Sequence, residues 1–206
     1  AMSEQGPIQS SVGVFVERAK ARLDEMAANA KVLESRLDSL DANVRAQAEQ
    51  AIAHVRQWIA EGQAQIKDVQ AKGDASIAEA KARIEATWSK FQSESGRWAE
   101  LAKDQQATFQ ARAQAQAQAW QNVVNSYMQR AAELHARNKA QAEAHVEQLK
   151  AEAQKAQADL KTKVDDLSKA GQASWATMSQ ALDDSRNAFS KAIEVTAKRF
   201  DEAAKG

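Results

Sequence analysis

Apolar residues recur every eleven positions along most of this chain. Phe109, Trp120, Ala131, Ala142, Ala153, Val164 and Trp175 form one such series. Leu149, Leu160, Gly171, Leu182 and Ile193 form a second, and Ala156, Leu167, Met178, Phe189 and Phe200 a third. Eleven residues close three helical turns at about 3.67 residues per turn, so the three series lie side by side as one apolar stripe on a helix. Val44, Val55, Ile66, Ile77 and Trp88 keep the same spacing earlier in the chain, flanked by Ile52, Ile59, Ile84 and Phe91. Ahead of them, Leu23, Ala30, Leu37 and Val44 with Met26, Leu33 and Leu40 follow a heptad, the spacing of a left-handed coiled coil. The stretch ARAQAQAQAW (111–120) alternates like a strand. Its Ala, Gln and Arg are nonetheless strong helix formers, and Phe109, Ala113 and Trp120 fall on the stripe. The reading is helix.

Few residues interrupt this pattern. Pro7 is the one proline among 206 residues and there are seven glycines, so turns are rare and the helices long. Forty-six of the apolar residues are Ala, which leaves too few large side chains for a thick globular interior but enough for a narrow stripe. Lys and Arg total 28, and Asp and Glu total 28. The halves balance as well, with 14 basic and 15 acidic residues in 1–103 and 14 and 13 in 104–206. Neither the basic face of a nucleic-acid module nor a polybasic membrane anchor is present. No Cys occurs, which removes disulfides, thiolate metal sites and cysteine catalysis and fits a reducing compartment. Eight acid-first i,i+4 pairs, Asp41–Arg45 and Glu79–Arg83 among them, mark a solvated helix face.

The phase of the stripe suggests how the chain is organised. Ala1-Met2 looks like a cleavage scar ahead of the initiator Met, and residues 1–10 are expected to be disordered, with no signal peptide or spanning segment in view. A first helical arm is expected over 11–92, heptads first and eleven-residue repeats after. Trp88 to Trp98 is ten residues, and the slip falls on Ser93-Glu94-Ser95-Gly96, so a turn is expected at 93–97. A second arm follows over 98–204, with a break near Gly171 as a further option. Lys72-Gly73-Asp74 is the other candidate turn, Gly73 closing one helix, Asp74 capping the next, and Ser76 with Glu79 matching a capping box. Gly62, Gly73 and Gly171 lie on the stripe, where they equally suit close approach of two helices. The expected fold is all-α: very long amphipathic helices as an antiparallel helical hairpin or an elongated three- to four-helix bundle or coiled coil.

No residue pattern points to catalysis, a cofactor or a metal. His135 lies on the stripe, but neither it nor His145 has Glu three residues before it, and HExxH is absent. Asp165-Asp166 and Asp183-Asp184 are adjacent rather than alternate acids, so they diverge on a helix instead of converging on an ion. Phosphate-cradle and nucleophile-elbow motifs are missing. The unusual feature is five Trp against one Tyr, since an indole is large for a coiled-coil seam. Trp88, Phe91 and Trp98 flank the expected turn. Trp120, Val124, Tyr127 and Met128, with Val123, form the densest apolar cluster of the second arm, and Trp175 lies farther on. Val12, Val14, Phe15 and Val16 are apolar on successive positions, so part of that run faces away from a narrow stripe. These are the candidate contact residues. The rings suit either a wide gap between three or four helices or a lipid interface.

The repeat AEAQKAQADLKTKVDDLSKA (151–170) resembles those of exchangeable apolipoproteins and late-embryogenesis-abundant proteins. Granule-coating phasins share the Ala/Gln-rich helical character. The resemblance implies helices that open to coat or protect lipid surfaces. The chain departs from it in lacking the punctuating prolines of the apolipoproteins and in its richer Trp content. On these grounds the expected function is a non-enzymatic structural or scaffold protein that self-associates through its stripe, a dimer being the simplest form. A lipid or hydrophobic granule surface is the candidate counter-surface. Its expected place is the cytoplasm, free or peripheral to a membrane or granule. The alternative is a helical adaptor presenting the Trp/Tyr/Met cluster to a partner protein.

Overall fold

In the computed structural model, which describes residues 6–102 and 105–205, the chain forms an all-α bundle. Its helices are α1 (Gly6–Arg36), α2 (Ala42–Lys72), α3 (Ile77–Ala102), α4 (Gln105–Ala132), α5 (Ala136–Lys169) and α6 (Trp175–Lys205). The helical stripe is as expected, but its division into two long arms is not.

The turn expected at 93–97 lies inside α3, which runs unbroken from Ile77 to Ala102. Ile84, Trp88, Phe91, Ser95 and Trp98 are spaced four, three, four and three residues apart, a heptad face, and all five are buried. The ten-residue step between the two indoles is therefore three plus seven on one helix, and burial of that face overrides the turn-like composition of Ser93–Gly96. Gly96 is used for packing. A Cβ there would stand 3.3 Å from the Trp175 indole nitrogen, so α6 can bring that ring against the α3 backbone.

Reversals occur elsewhere. After α1 a short 3-10 turn, Leu37–Ser39, leads to Asp41, whose carboxylate accepts from the Val44 N–H at 3.1 Å and caps α2. Arg45 turns back to donate to the carbonyls of Leu37 at 3.0 Å and Leu40 at 3.3 Å. Instead of forming a surface pair, Asp41 and Arg45 thus serve backbone groups left open at the reversal. Gly73 ends α2 at φ 83°, ψ −157°, its N–H donating to Val69 O at 2.7 Å. Asp74 begins a 3-10 turn rather than acting as a cap, the Ser76 hydroxyl donates to the Gly73 carbonyl, and Glu79 pairs with Arg83. Gly171, at φ 69°, ends α5: its N–H reaches Ser168 O, and the Gln172 N–H reaches Leu167 O at 2.8 Å. Ser174 and Thr177 then exchange backbone and hydroxyl hydrogen bonds at the start of α6. Between α4 and α5 the chain turns through Glu133–His135, so His135 is exposed in a turn and not on the stripe. Helix α1 already includes residues 6–10 of the segment expected to be disordered, with Pro7 in its first turn, where a missing N–H costs nothing. Residues 1–5, with the Ala1-Met2 scar, lie outside the described residues.

Helix α1 is the hub. It packs most extensively on α4, then on α2 and α6, and touches α3. One core gathers Phe15, Leu23, Met26, Leu33, Val55 and Val69 with Trp88, Phe91 and Trp98, joining α1, α2 and α3. A second joins α4, α5 and α6 through Trp120, Tyr127, Leu149, Phe189 and Ile193, and α1 enters it by Ala21. A third, around Phe109, Leu160, Met178 and Leu182, continues α4–α6 toward the other end. Ala111, Ala115 and Ala119 recur every fourth residue on α4 and are buried, as are Arg112, Gln116 and Trp120 beside them. A four-residue period thus resolves the alternation of ARAQAQAQAW, and the small Ala face lets α4 lie close to another helix. Gly62 does the same on α2, where a Cβ would come within 2.5 Å of Leu23 Cδ2.

Candidate functional site: an ionic layer within the stripe

Two cations on the stripe meet one acid that lies off the α1 heptad seam. Arg112 and Gln116 lie between Phe109 and Trp120 at helical spacing, Arg186 lies between Leu182 and Phe189, and Glu25 follows Ala21 by one turn. All are buried, Glu25 to 1% exposure. They meet where α1, α3, α4 and α6 converge. Arg186 donates to both Glu25 oxygens, from Nη2 at 2.6 Å and Nε at 3.1 Å, and from Nη1 to Asp183 at 2.5 Å. Arg112 Nη2 stands 3.5 Å from Glu25, and Gln92 of α3 donates to Asp183 at 2.9 Å. Gln116 donates to the Leu182 carbonyl at 3.2 Å. Two acids thus balance two guanidinium groups, and the layer is neutral.

Aromatic faces complete it. The Arg186 guanidinium carbon lies 4.4 Å from the Trp88 ring centre, with that of Arg22 at 5.4 Å, while Arg112 is 4.7 Å from Phe91. A π face returns to a buried cation part of what it loses in hydration. The two cations fare differently. Burial weighs most on both, but Glu25 and then Asp183 outweigh it for Arg186, whose pKa is raised. For Arg112 burial wins over Glu25 and its pKa is lowered to about 10, and its Nε has no acceptor among the described residues.

A second polar group sits farther along the seam between α1 and α4. Glu17 is buried, 3.4 Å from the Ser126 hydroxyl that donates to it and 3.6 Å from Arg130. Burial pushes its carboxyl up, against the pull of Lys20, Arg130 and Ser126. Arg130 also lies over the rings of Tyr127, at 4.9 Å, and Phe200. Nearby, Asp24 accepts from the Asn122 amide at 3.2 Å across the same seam.

The expected contact residues are mostly interior. Phe15, Val16, Trp88, Phe91, Trp98, Trp120, Val124 and Tyr127 are buried, and Val12, Val14 and Trp175 are half-buried. Met128, at 42% exposure, is the member that faces solvent. Trp120 packs against Phe189 with ring centres 4.6 Å apart and Tyr127 against Phe200 at 5.0 Å, both pairs tilted. Of the two accounts of the rings, the closed bundle uses the wide gap between helices. Glu17, Glu25, Arg112 and Arg186 were not among the expected residues. For Arg112 and Arg186 the signal is a charge at an apolar-stripe position, which the count of i,i+4 surface pairs passes over; Glu17 and Glu25 lie off the α1 heptad and carry no such signal. No helix among the described residues is long and apolar enough to cross a membrane. No protein-family model, curated protein or solved structure matches the chain.

Proposed function

We propose that the protein is a non-enzymatic amphipathic-helix protein that stores its apolar stripe in a closed bundle and opens to coat a lipid or hydrophobic granule surface. One observation carries this reading: the eleven-residue apolar frame passes through the connections between helices. Leu33 to Val44 spans α1 and α2, Ile66 to Ile77 spans α2 and α3, and Trp98 to Phe109 spans α3 and α4. Ala131 to Ala142 spans α4 and α5, and Val164 to Trp175 spans α5 and α6. A permanent bundle has no need of this, because each reversal aims the next helix afresh. A chain whose turns become helix does need it, since only then do the helices on either side of a turn share one apolar face, the one-residue slip between Trp88 and Trp98 falling inside α3 and not at a connection.

The closed form leaves little stripe for a second copy, since its large apolar residues are buried within the chain. Self-association in this reading belongs to the open form, with copies side by side on the surface. Glu25, Arg112 and Arg186 then reach water from the edge of an interfacial helix, as long charged side chains do.

The test is a distance. Gln121 and Glu147 are exposed and lie 13 residues either side of Leu134, in the turn between α4 and α5. Spin labels there are about 10 Å apart at the backbone across two packed helices, and about 39 Å apart in one continuous helix at 1.5 Å per residue. Vesicles or oil droplets are expected to convert the short distance to the long one. Binding with the short distance retained would overturn the opening.

A further inference from the structure

We propose that the closed bundle carries a binding site for a single-chain carboxylate amphiphile, a medium-chain fatty acid in chemical class, between α1, α3 and α6. This goes beyond surface coating, because it concerns a dissolved ligand and needs no opening. Helices α3 and α6 are pinned together by the Gln92–Asp183 hydrogen bond and by the Trp175 ring against Gly96. Farther along they form opposite walls of a cavity of about 290 Å³ floored by α1. Val14, Phe15 and Ala19 of α1 and Ile77 and Ile84 of α3 make its apolar part. That volume is at the lower end for ligand pockets, so it suits one short chain and not the paired chains of a phospholipid.

The polar part is cationic. Arg18, Arg22 and Lys81 line the cavity against one acid, Glu85. Arg22 is committed to Glu85 by an ion pair. Among the described residues Arg18 pairs with Glu194, at 3.7 Å, and its Nε is buried without an acceptor there. Lys81 is exposed, and its charge acts on that same Glu194 without an ion pair at contact distance among the described residues. An apolar floor beside two under-used cations matches a molecule with an alkyl chain and a terminal carboxylate, the chain displacing water from the floor and the head meeting Arg18 and Lys81. A cationic head of the same chain length meets like charge there instead.

The experiment is calorimetric titration of the full chain with decanoate below its micelle concentration, with decyltrimethylammonium and acetate as controls and helicity followed by circular dichroism. Decanoate is expected to fill one saturable site with helicity unchanged, while neither control binds. Lys81→Glu reverses an exposed charge without touching the core and is expected to weaken binding about tenfold or more. Ser190→Phe, at a half-buried wall position, is expected to fill the cavity and abolish binding. Absence of saturable binding, equal binding of the cation, or unchanged affinity in both variants would each overturn the site. The spin-label distance on vesicles is read separately, so failure here and failure of the opening are distinguishable.

Discussion

Arg112 and Arg186 share one carboxylate, yet the interior suits their charges unequally. Arg186 gains more from Glu25 and Asp183 than burial costs it, whereas Arg112 is left with its charge disfavoured. Arg186→Met is therefore expected to destabilise the protein by about 3–5 kcal/mol, the cost of leaving buried charge without its partner. Arg112→Met, which leaves Glu25 paired with Arg186, is expected to cost under about 1.5 kcal/mol, as a well-packed apolar replacement does. Urea midpoints of the two variants check the order, and equal losses would sink the argument. Glu17, with Asp24 on the same seam, contributes to the pH dependence. Burial raises its pKa above 4.5, so the folded state holds that proton more tightly than the unfolded chain. Stability from this group is complete below the ordinary carboxyl value and is lost as pH rises through the raised one. Glu17→Gln removes the penalty and is expected to raise the melting temperature at pH 7 but not at pH 4. A difference that grows toward low pH would contradict the sign.

The helices are amphipathic, with large apolar residues buried on each, and the turns between them rest on very few residues. Gly73 occupies a backbone region that is almost confined to glycine, while Gly171 is an ordinary left-handed helix end. Gly73→Ala is expected to destabilise the closed bundle by about 1–3 kcal/mol and Gly171→Ala by about 1 kcal/mol. In the surface-bound form the same substitutions replace a poor helix former by the best one, a gain of about 1 kcal/mol. Lower stability in solution should therefore accompany tighter binding to vesicles. If both quantities fall together, those turns do not become helix. Residues 93–96 show why composition misled: Ser95 sits on a heptad face whose aromatic members on either side are all buried, and packing of that face outweighs the local preference of the turn-like residues.

At the scale of the molecule, α1 holds the two groups of helices together, since its seam with α4 is among the largest contacts in the bundle. Opening must part that seam. The chain has no Cys, so one pair can be placed at will. Asp24→Cys with Asn122→Cys substitutes two side chains now joined across α1 and α4, and a short bis-maleimide can bridge them. The cross-linked protein is expected to lose most of its binding to vesicles and the unlinked double variant to retain it. Equal binding would mean that the closed bundle itself meets the surface.

The chain alone determined the all-α class and the amphipathic character of the helices, because helix propensity and apolar spacing are local properties written in consecutive residues. Gly73 and Gly171 were legible as candidate breaks, though Gly62, which the helix keeps for close packing, looked the same in sequence. The reversals at Leu37–Asp41 and Glu133–His135 contain neither Gly nor Pro and are closed by groups such as Arg45 that reach back along the chain. Only tertiary structure decided that Glu25, Arg112 and Arg186, separated by up to 161 positions, form one layer. A charge on an apolar face reads locally as a flaw in the stripe. It becomes an interior ion pair only when three other helices bring its partners within hydrogen-bond reach and take the water away.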